Sequence, residues 1–155
     1  MVTKISWDEI EETIENLAVQ IKKAGYEVDY IIGIASGGIV PLGLLAKKLG
    51  IKNILTVTAR SYVGEKQEEL KITYLPEVDL SGKKILLVDE LVDSGQTLKK
   101  ITQVIAEKYK PAQVKTATLA INKQNCNFQP DFFAIGSENW MVFPWEREDF
   151  PQYFE

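Results

Sequence analysis

Residues 84–98 have the sequence KILLVDELVDSGQTL, and the fold follows from this stretch. It begins with a continuous apolar run, Ile85 to Val88, which has the length and branching typical of a buried parallel strand. An acidic pair, a third carboxylate, a loop with hydroxyls and a glycine, and a helical pattern follow in that order. Because parallel α/β sheets bind ligands beyond the carboxyl ends of their strands, the order predicts a ligand site here.

The polar residues of this stretch share one chemical interpretation. Asp89 and Glu90 are suited to bind a hard cation such as Mg2+, or to accept hydrogen bonds from sugar hydroxyls. Gly95 allows the backbone to approach a ligand closely. The loop of residues 94–97 precedes a helix and offers amides and hydroxyls to a phosphate. The stretch therefore predicts a phosphate site next to a site for a diol or a metal.

Three simpler interpretations compete with this one. Asp89 and Glu90 are also compatible with surface acids, and Ser94 or Thr97 with a helix N-cap. Residues 85–90 are compatible with the Walker B strand of an ATPase, but the GxxxxGK[ST] segment that must accompany it is missing from the sequence. The first two interpretations explain single residues and leave the whole arrangement unexplained.

Composition narrows the class of protein. With 155 residues, the chain is predicted to form a single domain, 1–155. The net charge is -4 and no basic tract stands out, which disfavours nucleic acid as a partner. The absence of histidine excludes His-based acid–base catalysis and His-metal sites. A single cysteine, Cys126, suits a reducing cytoplasm, and we expect neither a signal peptide nor a membrane span.

Strand and helix patterns alternate along the chain. A capping box at Ser6 starts the first helix, and a second apolar helix runs from Ile39 to Leu49. Strands are predicted at residues 30–34, 53–58, 85–88, 114–121 and 132–136, and strand 114–121 alternates enough to be half buried. This alternation predicts an α/β fold with a mainly parallel central sheet flanked by helices.

A second glycine-rich turn follows the first predicted strand of the sheet. Its sequence, Ala35-Ser36-Gly37-Gly38, lies between a strand and a helix, which is again a geometry that binds anions. By itself the turn is equally compatible with a tight connection, so its weight comes from the stretch at residues 84–98.

Residues 85–97 resemble the thirteen-residue PRPP-binding signature of the type I phosphoribosyltransferases: four apolar residues, two acids, two apolar residues, Asp, Thr or Ser, Gly, any residue, Thr. The matching polar positions are Asp89, Glu90, Asp93, Ser94, Gly95 and Thr97. The resemblance implies that residues 94–97, including Gln96, hold the 5-phosphate. It also implies that Asp89 and Glu90 bind the ribose hydroxyls and help to place Mg2+, and that Asp93 exchanges a proton with N7 of the base.

The second turn is similar to the pyrophosphate loop of the same family, which often contains a non-proline cis peptide. Ser36, Gly37 and Gly38 are thereby implied to bind pyrophosphate. Ser36 stands where relatives commonly carry Arg or Lys, so one expected positive charge is missing.

Residues 60–74 look like the mobile flap of the bacterial xanthine-guanine phosphoribosyltransferases, although a solvated hairpin or loop explains them equally well. Those enzymes have an Arg where this chain has Glu68. A second expected positive charge is therefore missing from this chain. Arg60, Lys66 and Lys71 are candidate substitutes.

Four further residues are implied to bind the base. Residues 139–146, NWMVFPWE, look like the base-recognition segment of the xanthine-guanine enzymes, in which Trp140 would stack on the purine and the backbone of Met141 would contact its 2-position. Lys123, at the end of a predicted strand, would contact the 6-oxo group, and Val92 would lie in the base site.

The resemblance as a whole implies a type I phosphoribosyltransferase fold with a small C-terminal hood, about residues 122–155. The implied reaction is transfer of 5-phosphoribose from PRPP to a 6-oxopurine in purine salvage, with Mg2+, in a cytoplasmic homo-oligomer, dimer or tetramer. Two alternatives stay open: a regulatory module that senses PRPP or a nucleotide, and a phosphoribosyltransferase for another base.

Overall fold

The computed structural model describes residues 1–63 and 68–155, which form eight strands and three α-helices. In chain order they are β1 Val2–Lys4, α1 Trp7–Lys23, β2 Tyr30–Ala35, α2 Ile39–Leu49, β3 Ile54–Val63, β4 Glu68–Tyr74, β5 Lys84–Val92, α3 Gln96–Tyr109, β6 Gln113–Asn122, β7 Phe132–Ser137 and β8 Trp140–Val142. Two short 3-10 helices, Pro144–Glu146 and Pro151–Tyr153, follow β8. Within the described residues, no helix combines the length and the apolar character needed to cross a membrane.

Six strands form the central sheet in the order β4-β3-β2-β5-β6-β7. Only β4 is antiparallel to its neighbour among these described strands, which confirms the mainly parallel α/β fold. Alternate side chains of a strand point to opposite faces. Accordingly, Leu86 and Val88 of β5 pack with α1 and α2, whereas Ile85 and Leu87 pack with α3.

The first helix begins as its sequence predicts. The Ser6 hydroxyl accepts a hydrogen bond from the Glu9 amide at 3.2 Å, and the Glu9 carboxylate accepts one from the Ser6 amide at 2.7 Å. This capping box satisfies two amides that a helix leaves without partners. Ile10, on the inner face of the helix, is 1% exposed and anchors α1 to the sheet.

The expectation that residues 114–121 form a half-buried strand is wrong. In β6, every residue from Thr116 to Ile121 is buried, because β6 lies between β5 and β7 and is covered on both faces. The hydroxyl of Thr116 tolerates burial because it hydrogen-bonds Asp131. Thr118 is buried as well, and its hydroxyl donates to the Ala120 carbonyl. The alternation of threonine with apolar residues in β6 therefore does not indicate an exposed face.

The N-terminus of the chain pairs with the C-terminal segment that the sequence predicts to form a hood. β1 pairs in parallel with β8, and Thr3 lies opposite Met141 in the register. The Ile5 amide continues the pairing by donating to the Val142 carbonyl at 2.9 Å. The sequence did not predict β1, because three residues are too few for a periodic pattern.

The order in which the chain adds strands to the sheet changes direction between β2 and β5. The chain leaves β2 through α2 towards β3 on one side, and leaves β5 through α3 towards β6 on the other side. In open α/β sheets such a reversal opens a crevice at the carboxyl ends of the two strands. The loops that follow β2 and β5 therefore face each other across this crevice.

Candidate functional site

The acidic pair belongs to β5 and does not follow it. The predicted strand ended at Val88, but β5 continues to Val92, because β6 pairs with it from Lys84 to that residue. Its pairing with β2 stops at Val88. The last four residues of β5 consequently have a strand on one side and the loop after β2 on the other.

The loop after β2 is in contact with this free side of β5. A non-proline cis peptide joins Ala35 to Ser36, and Gly38 begins α2. A side chain at Gly37 would lie 2.6 Å from a carboxylate oxygen of Glu90, and one at Gly38 would lie 2.7 Å from the Val88 carbonyl. Backbone atoms block a side chain at Gly38, and a side chain at Gly37 would displace the Glu90 carboxylate, which explains the Gly-Gly pair.

The two acids point in different directions from adjacent positions of β5. The Glu90 carboxylate lies against Gly37 and accepts a 2.7 Å hydrogen bond from the indole Nε1 of Trp145. Asp89 lines a small cavity of about 160 Å3 together with the loop that follows β5. The backbone amide of Glu90 donates to Asp89 at 2.8 Å.

Burial makes the carboxyl groups of Asp89 and Glu90 weaker acids than ordinary Asp and Glu side chains. It raises the pKa of Asp89 to about 7, while the Glu90 amide opposes the rise and the Glu90 charge adds to it. Burial likewise raises the pKa of Glu90 to about 7, against the lowering effect of the Trp145 hydrogen bond. The nearby acids Glu146 and Asp149 raise it further. Each group therefore gains from a cation that would offset its charge.

Residues 94–97 form a tight turn into α3. Gly95 has φ +93° and is the N-cap of the helix, so the alternative that Ser94 or Thr97 is the N-cap is wrong. The Ser94 hydroxyl instead accepts a hydrogen bond from the Gln96 amide at 3.3 Å. Ser94, Gly95 and Thr97 line the 160 Å3 cavity with Asp89 and Asp93. Hydroxyls, a left-handed glycine and a helix start thus surround a space of phosphate size.

Asp93 lies at the rim of the same cavity and is held by two asparagines. Its Oδ1 accepts hydrogen bonds from Asn122 at 2.9 Å and from Asn125 at 3.1 Å. Sequence reasoning missed both asparagines. Their signal in the sequence was a polar run, NKQNCN, directly after a buried strand.

The four predicted base-binding residues differ in exposure. The Lys123 side chain is exposed and its Cε passes close to Gly136, where a Cβ would lie 2.5 Å away. The Trp140 ring is half exposed and meets the edge of Phe150 at a centroid distance of 6.4 Å. Val92 and Met141 are buried at 3% and 2% exposure, so any contact of Met141 with a ligand would come from its backbone.

A larger cavity of about 570 Å3 lies between the β3–β4 hairpin and the start of α3. Ser61, Glu69 and Leu70 line it on the hairpin side, and Ser94, Gln96, Thr97 and Lys100 on the helix side. Sequence reasoning missed Lys100, which lies one helical turn beyond Thr97 and adds a cation beside the phosphate loop.

Two of the three cations considered as substitutes for the missing arginines belong to the β3–β4 hairpin. Arg60 and Lys71 are opposite each other in the β3–β4 register, whereas Lys66 lies outside the described residues. Glu68 begins β4. The proposed flap, residues 60–74, is thus an antiparallel hairpin over residues 60–63 and 68–74.

The carboxylates at the crevice suit the way in which Mg2+ binds together with a phosphorylated substrate. Mg2+ keeps several waters and is bound by one or two carboxylates together with substrate phosphates. Asp89 and Glu90 supply such carboxylates, and neither forms an ion pair within the described residues. The described residues contain no group of three or more acidic, cysteine or histidine side chains that would enclose a metal. The site therefore suits a cation shared with a substrate rather than a metal held by protein alone.

Comparison with known proteins supplies a family. Residues 6–149 match the phosphoribosyl transferase domain. The chain is 28% identical over 149 residues to the xanthine-guanine phosphoribosyltransferase of Cereibacter sphaeroides, covering 92% of this chain and 85% of the relative.

Two solved structures share the fold over nearly the full length. A purine phosphoribosyltransferase from Pyrococcus horikoshii is 31% identical, with 93% of each chain covered and a TM-score of 0.83. A hypothetical protein from Neisseria gonorrhoeae with bound ppGpp is 29% identical, with 99% of this chain and 95% of the other covered and a TM-score of 0.84.

Proposed function

The chain belongs to the phosphoribosyl transferase domain family, and we propose that it is a purine phosphoribosyltransferase that transfers 5-phosphoribose from PRPP to a 6-oxopurine. Pyrophosphate and the nucleoside monophosphate are the products. One observation carries the proposal: the Ser36–Gly38 loop, the acids of β5 and the Ser94–Thr97 loop meet at the crevice between β2 and β5.

Each part of the crevice suits one part of PRPP. The turn at residues 94–97 offers hydroxyls and the start of α3 to the 5-phosphate. Asp89, which lines the same cavity as that turn, is the candidate acceptor for the ribose hydroxyls. The amides of Gly37 and Gly38 are the candidate donors to pyrophosphate.

Asp89 and Glu90 are the residues that would hold Mg2+ together with PRPP. When bound, Mg2+ supplies positive charge to the departing pyrophosphate. The chain has Ser36 at a position where the resemblance implies a cation in relatives. Binding of pyrophosphate would therefore depend more on Mg2+ in this chain.

The reaction exchanges one bond at C1 of the ribose for another. The bond from C1 to the pyrophosphate oxygen breaks, and its electron pair leaves with pyrophosphate. N9 of the purine forms the new bond to C1, and Asp93 accepts the proton that N7 loses. Positioning supplies most of the remaining rate, since the sequence contains no histidine and the reaction needs no covalent nucleophile.

Lys123, Trp140, Met141 and Val92 are proposed to bind the base. The exposed Lys123 suits a contact with a 6-oxo group, and the half-exposed Trp140 ring suits stacking on a purine. The similarity to the enzyme of Cereibacter sphaeroides favours guanine and xanthine as substrates.

Pyrophosphate release tests this function. PRPP and Mg2+ are mixed with guanine, xanthine, hypoxanthine, adenine or uracil in separate reactions. We expect turnover with one or more of the 6-oxopurines, and turnover confined to adenine or uracil would instead support an enzyme for another base. Asp93→Asn should lower kcat by about 10²- to 10⁴-fold with PRPP affinity kept, the range for loss of a general base.

A nucleotide-sensing role is the second candidate, and one observation favours it. The relative from Neisseria gonorrhoeae was solved with ppGpp, a guanosine nucleotide with two diphosphate groups. Such a ligand offers the same phosphate and purine groups as the product and pyrophosphate. Binding of ppGpp by calorimetry, with no pyrophosphate release for any base, would support sensing over catalysis.

Oligomeric state and cellular location stay predictions. We expect a homo-oligomer, dimer or tetramer, in the cytoplasm, with PRPP and a purine base as the small-molecule partners. Light scattering of the purified chain tests the first expectation. The division into a single domain with a hood at residues 122–155 likewise stays a prediction.

A further inference from the structure

Two asparagine amides converge on one oxygen of Asp93. Asn122 Nδ2 lies 2.9 Å and Asn125 Nδ2 lies 3.1 Å from Asp93 Oδ1. Asn122 is the last residue of β6, and Asn125 belongs to the turn that follows. The donors therefore come from the end of β6 and from the turn after it, and β6 pairs with β5, whose last residue directly precedes Asp93.

The orientation of the Asn122 amide is fixed by a second hydrogen bond. Its Oδ1 accepts from the Gln124 amide at 3.0 Å, which leaves Nδ2 for Asp93. The turn itself is closed by a 3.0 Å hydrogen bond from the Cys126 amide to the Asn122 carbonyl. The donor is thus aimed at Asp93 in the protein without any ligand.

The same segment supports the loop after Asp93. The Asn127 amide donates to the Ser94 carbonyl at 2.9 Å. A Cβ at Gly95 would lie 2.6 Å from both the Cβ and the carbonyl oxygen of Phe128. Residues 93–95 consequently pack directly against residues 122–128. The two segments form one unit, so neither is expected to move without the other.

We propose that Asn122 and Asn125 are positioning residues that orient the Asp93 carboxylate for proton exchange with N7 of the purine. The inference rests on the proposed function, which assigns that exchange to Asp93. Two N–H donors occupy Oδ1, so Oδ2 is left to accept the proton. Because the asparagines are neutral, they fix the direction of the carboxylate without pairing its charge.

The segment that holds Asp93 also contains Lys123. The Lys123 amide donates to the Ser137 carbonyl at 2.9 Å, and its side chain runs beside Gly136. Lys123 lies between the two positioning residues in sequence. One short segment, residues 122–125, thus carries both the partners of Asp93 and the lysine proposed for the 6-oxo oxygen.

Substitution of Asn125 distinguishes an effect on the orientation of Asp93 from an effect on PRPP binding. Asn125→Leu removes one donor to Asp93, and we expect kcat to fall about tenfold, the size of one lost hydrogen bond to a charged group. The Kd of PRPP, measured by calorimetry, should not change. Gln124→Leu is the matched control, since Gln124 is an exposed neighbour in the same turn and should keep wild-type kcat.

A double-mutant cycle distinguishes positioning from a general structural effect. In the Asp93→Asn background, Asn125→Leu should cause no further fall in kcat, because its effect acts through Asp93. Equal losses in both backgrounds would overturn the proposal, as would full activity of Asn125→Leu beside an impaired Asp93→Asn. Full activity of Asp93→Asn would instead refute the role of Asp93 in the proposed function, and this inference with it.

A spectroscopic measurement does not depend on the stability of Asn125→Leu. In 1H–15N spectra, Asp93→Asn should shift the side-chain NH2 signals of Asn122 and Asn125 and leave that of Gln124 in place. Unchanged asparagine signals would overturn the contact on which the proposal is based.

Discussion

Trp145 Nε1 donates a 2.7 Å hydrogen bond to Oε2 of Glu90, a residue that precedes it by 55 positions. The same indole stacks on Phe143 at a centroid distance of 5.1 Å and contacts the ring of Trp7 at 5.8 Å. The acid next to the Gly37 loop is therefore held by the C-terminal segment, whose strand β8 pairs with β1 at the N-terminus.

Trp145→Phe should weaken PRPP binding in the presence of Mg2+ by about ten- to a hundredfold, the effect of losing one hydrogen bond to a charged group. Phenylalanine keeps an aromatic ring for stacking on Phe143 but removes the donor to Glu90. Because that donor lowers the pKa of Glu90, its loss should also shift the pH dependence of PRPP binding upward.

Calorimetry between pH 6 and pH 8 measures both effects. Trp7→Phe is the control, because Trp7 contacts Trp145 through its ring and is not the donor to Glu90. Equal PRPP affinity of Trp145→Phe and wild type at every pH would contradict the prediction.

Removal of the β5 charges should stabilise the unliganded protein at high pH. The pKa values of Asp89 and Glu90, about 7 in the folded protein, exceed the ordinary values near 4 of the unfolded chain. The folded state thus binds more protons between pH 4 and 7, and wild-type stability falls as pH rises through this window. Asp89→Asn combined with Glu90→Gln removes this loss.

Thermal unfolding without Mg2+ at pH 5, 6, 7 and 8 tests this sign. The Tm advantage of the double variant over wild type should be smallest at pH 5 and should grow up to pH 8. Glu12→Gln, which removes an exposed carboxylate of α1, should show no such trend. A double variant less stable than wild type at pH 8 would refute the assigned cause.

Gly95→Ala should destabilise the protein and abolish PRPP binding. An alanine there adopts φ +93° and meets Phe128 at 2.6 Å. Gly82→Ala is a matched control, since Gly82 has φ +71° and nothing within 4 Å of its added Cβ. The control should lose only about 1–2 kcal/mol, the cost of the left-handed backbone for alanine.

Urea unfolding and PRPP calorimetry on both glycine variants measure these effects. We expect the free energy of unfolding of Gly95→Ala to lie below that of Gly82→Ala, and PRPP affinity to be lost only in Gly95→Ala. Similar behaviour of the two variants would mean that the contact with Phe128 has no consequence.

Lys100→Ala should weaken PRPP binding by about two- to fivefold, as expected for one solvent-exposed charge pair. Lys100 lines the larger cavity with Ser94 and Thr97. Lys99→Ala is the control, because Lys99 is the adjacent exposed lysine and does not line that cavity. Calorimetry at low and high salt should show the difference between the variants shrink as salt rises.

The fold class could be derived from the sequence alone, and the sequence also predicts a phosphate loop at residues 94–97. The apolar run at Ile85–Val88 and the glycines after β2 and β5 required buried parallel strands with tight turns, since these features depend on local backbone chemistry. The family match over residues 6–149 agrees with the resemblance based on residues 85–97.

Tertiary structure alone decided which side chains meet at the site. Asn122 and Asn125 reach Asp93 because β6 pairs with β5, and Trp145 reaches Glu90 from the 3-10 helix that follows β8. Strand pairing brings together residues distant in sequence, and no local pattern encodes such a contact. The raised pKa values of Asp89 and Glu90 likewise arise from burial, which exists only once the chain has packed.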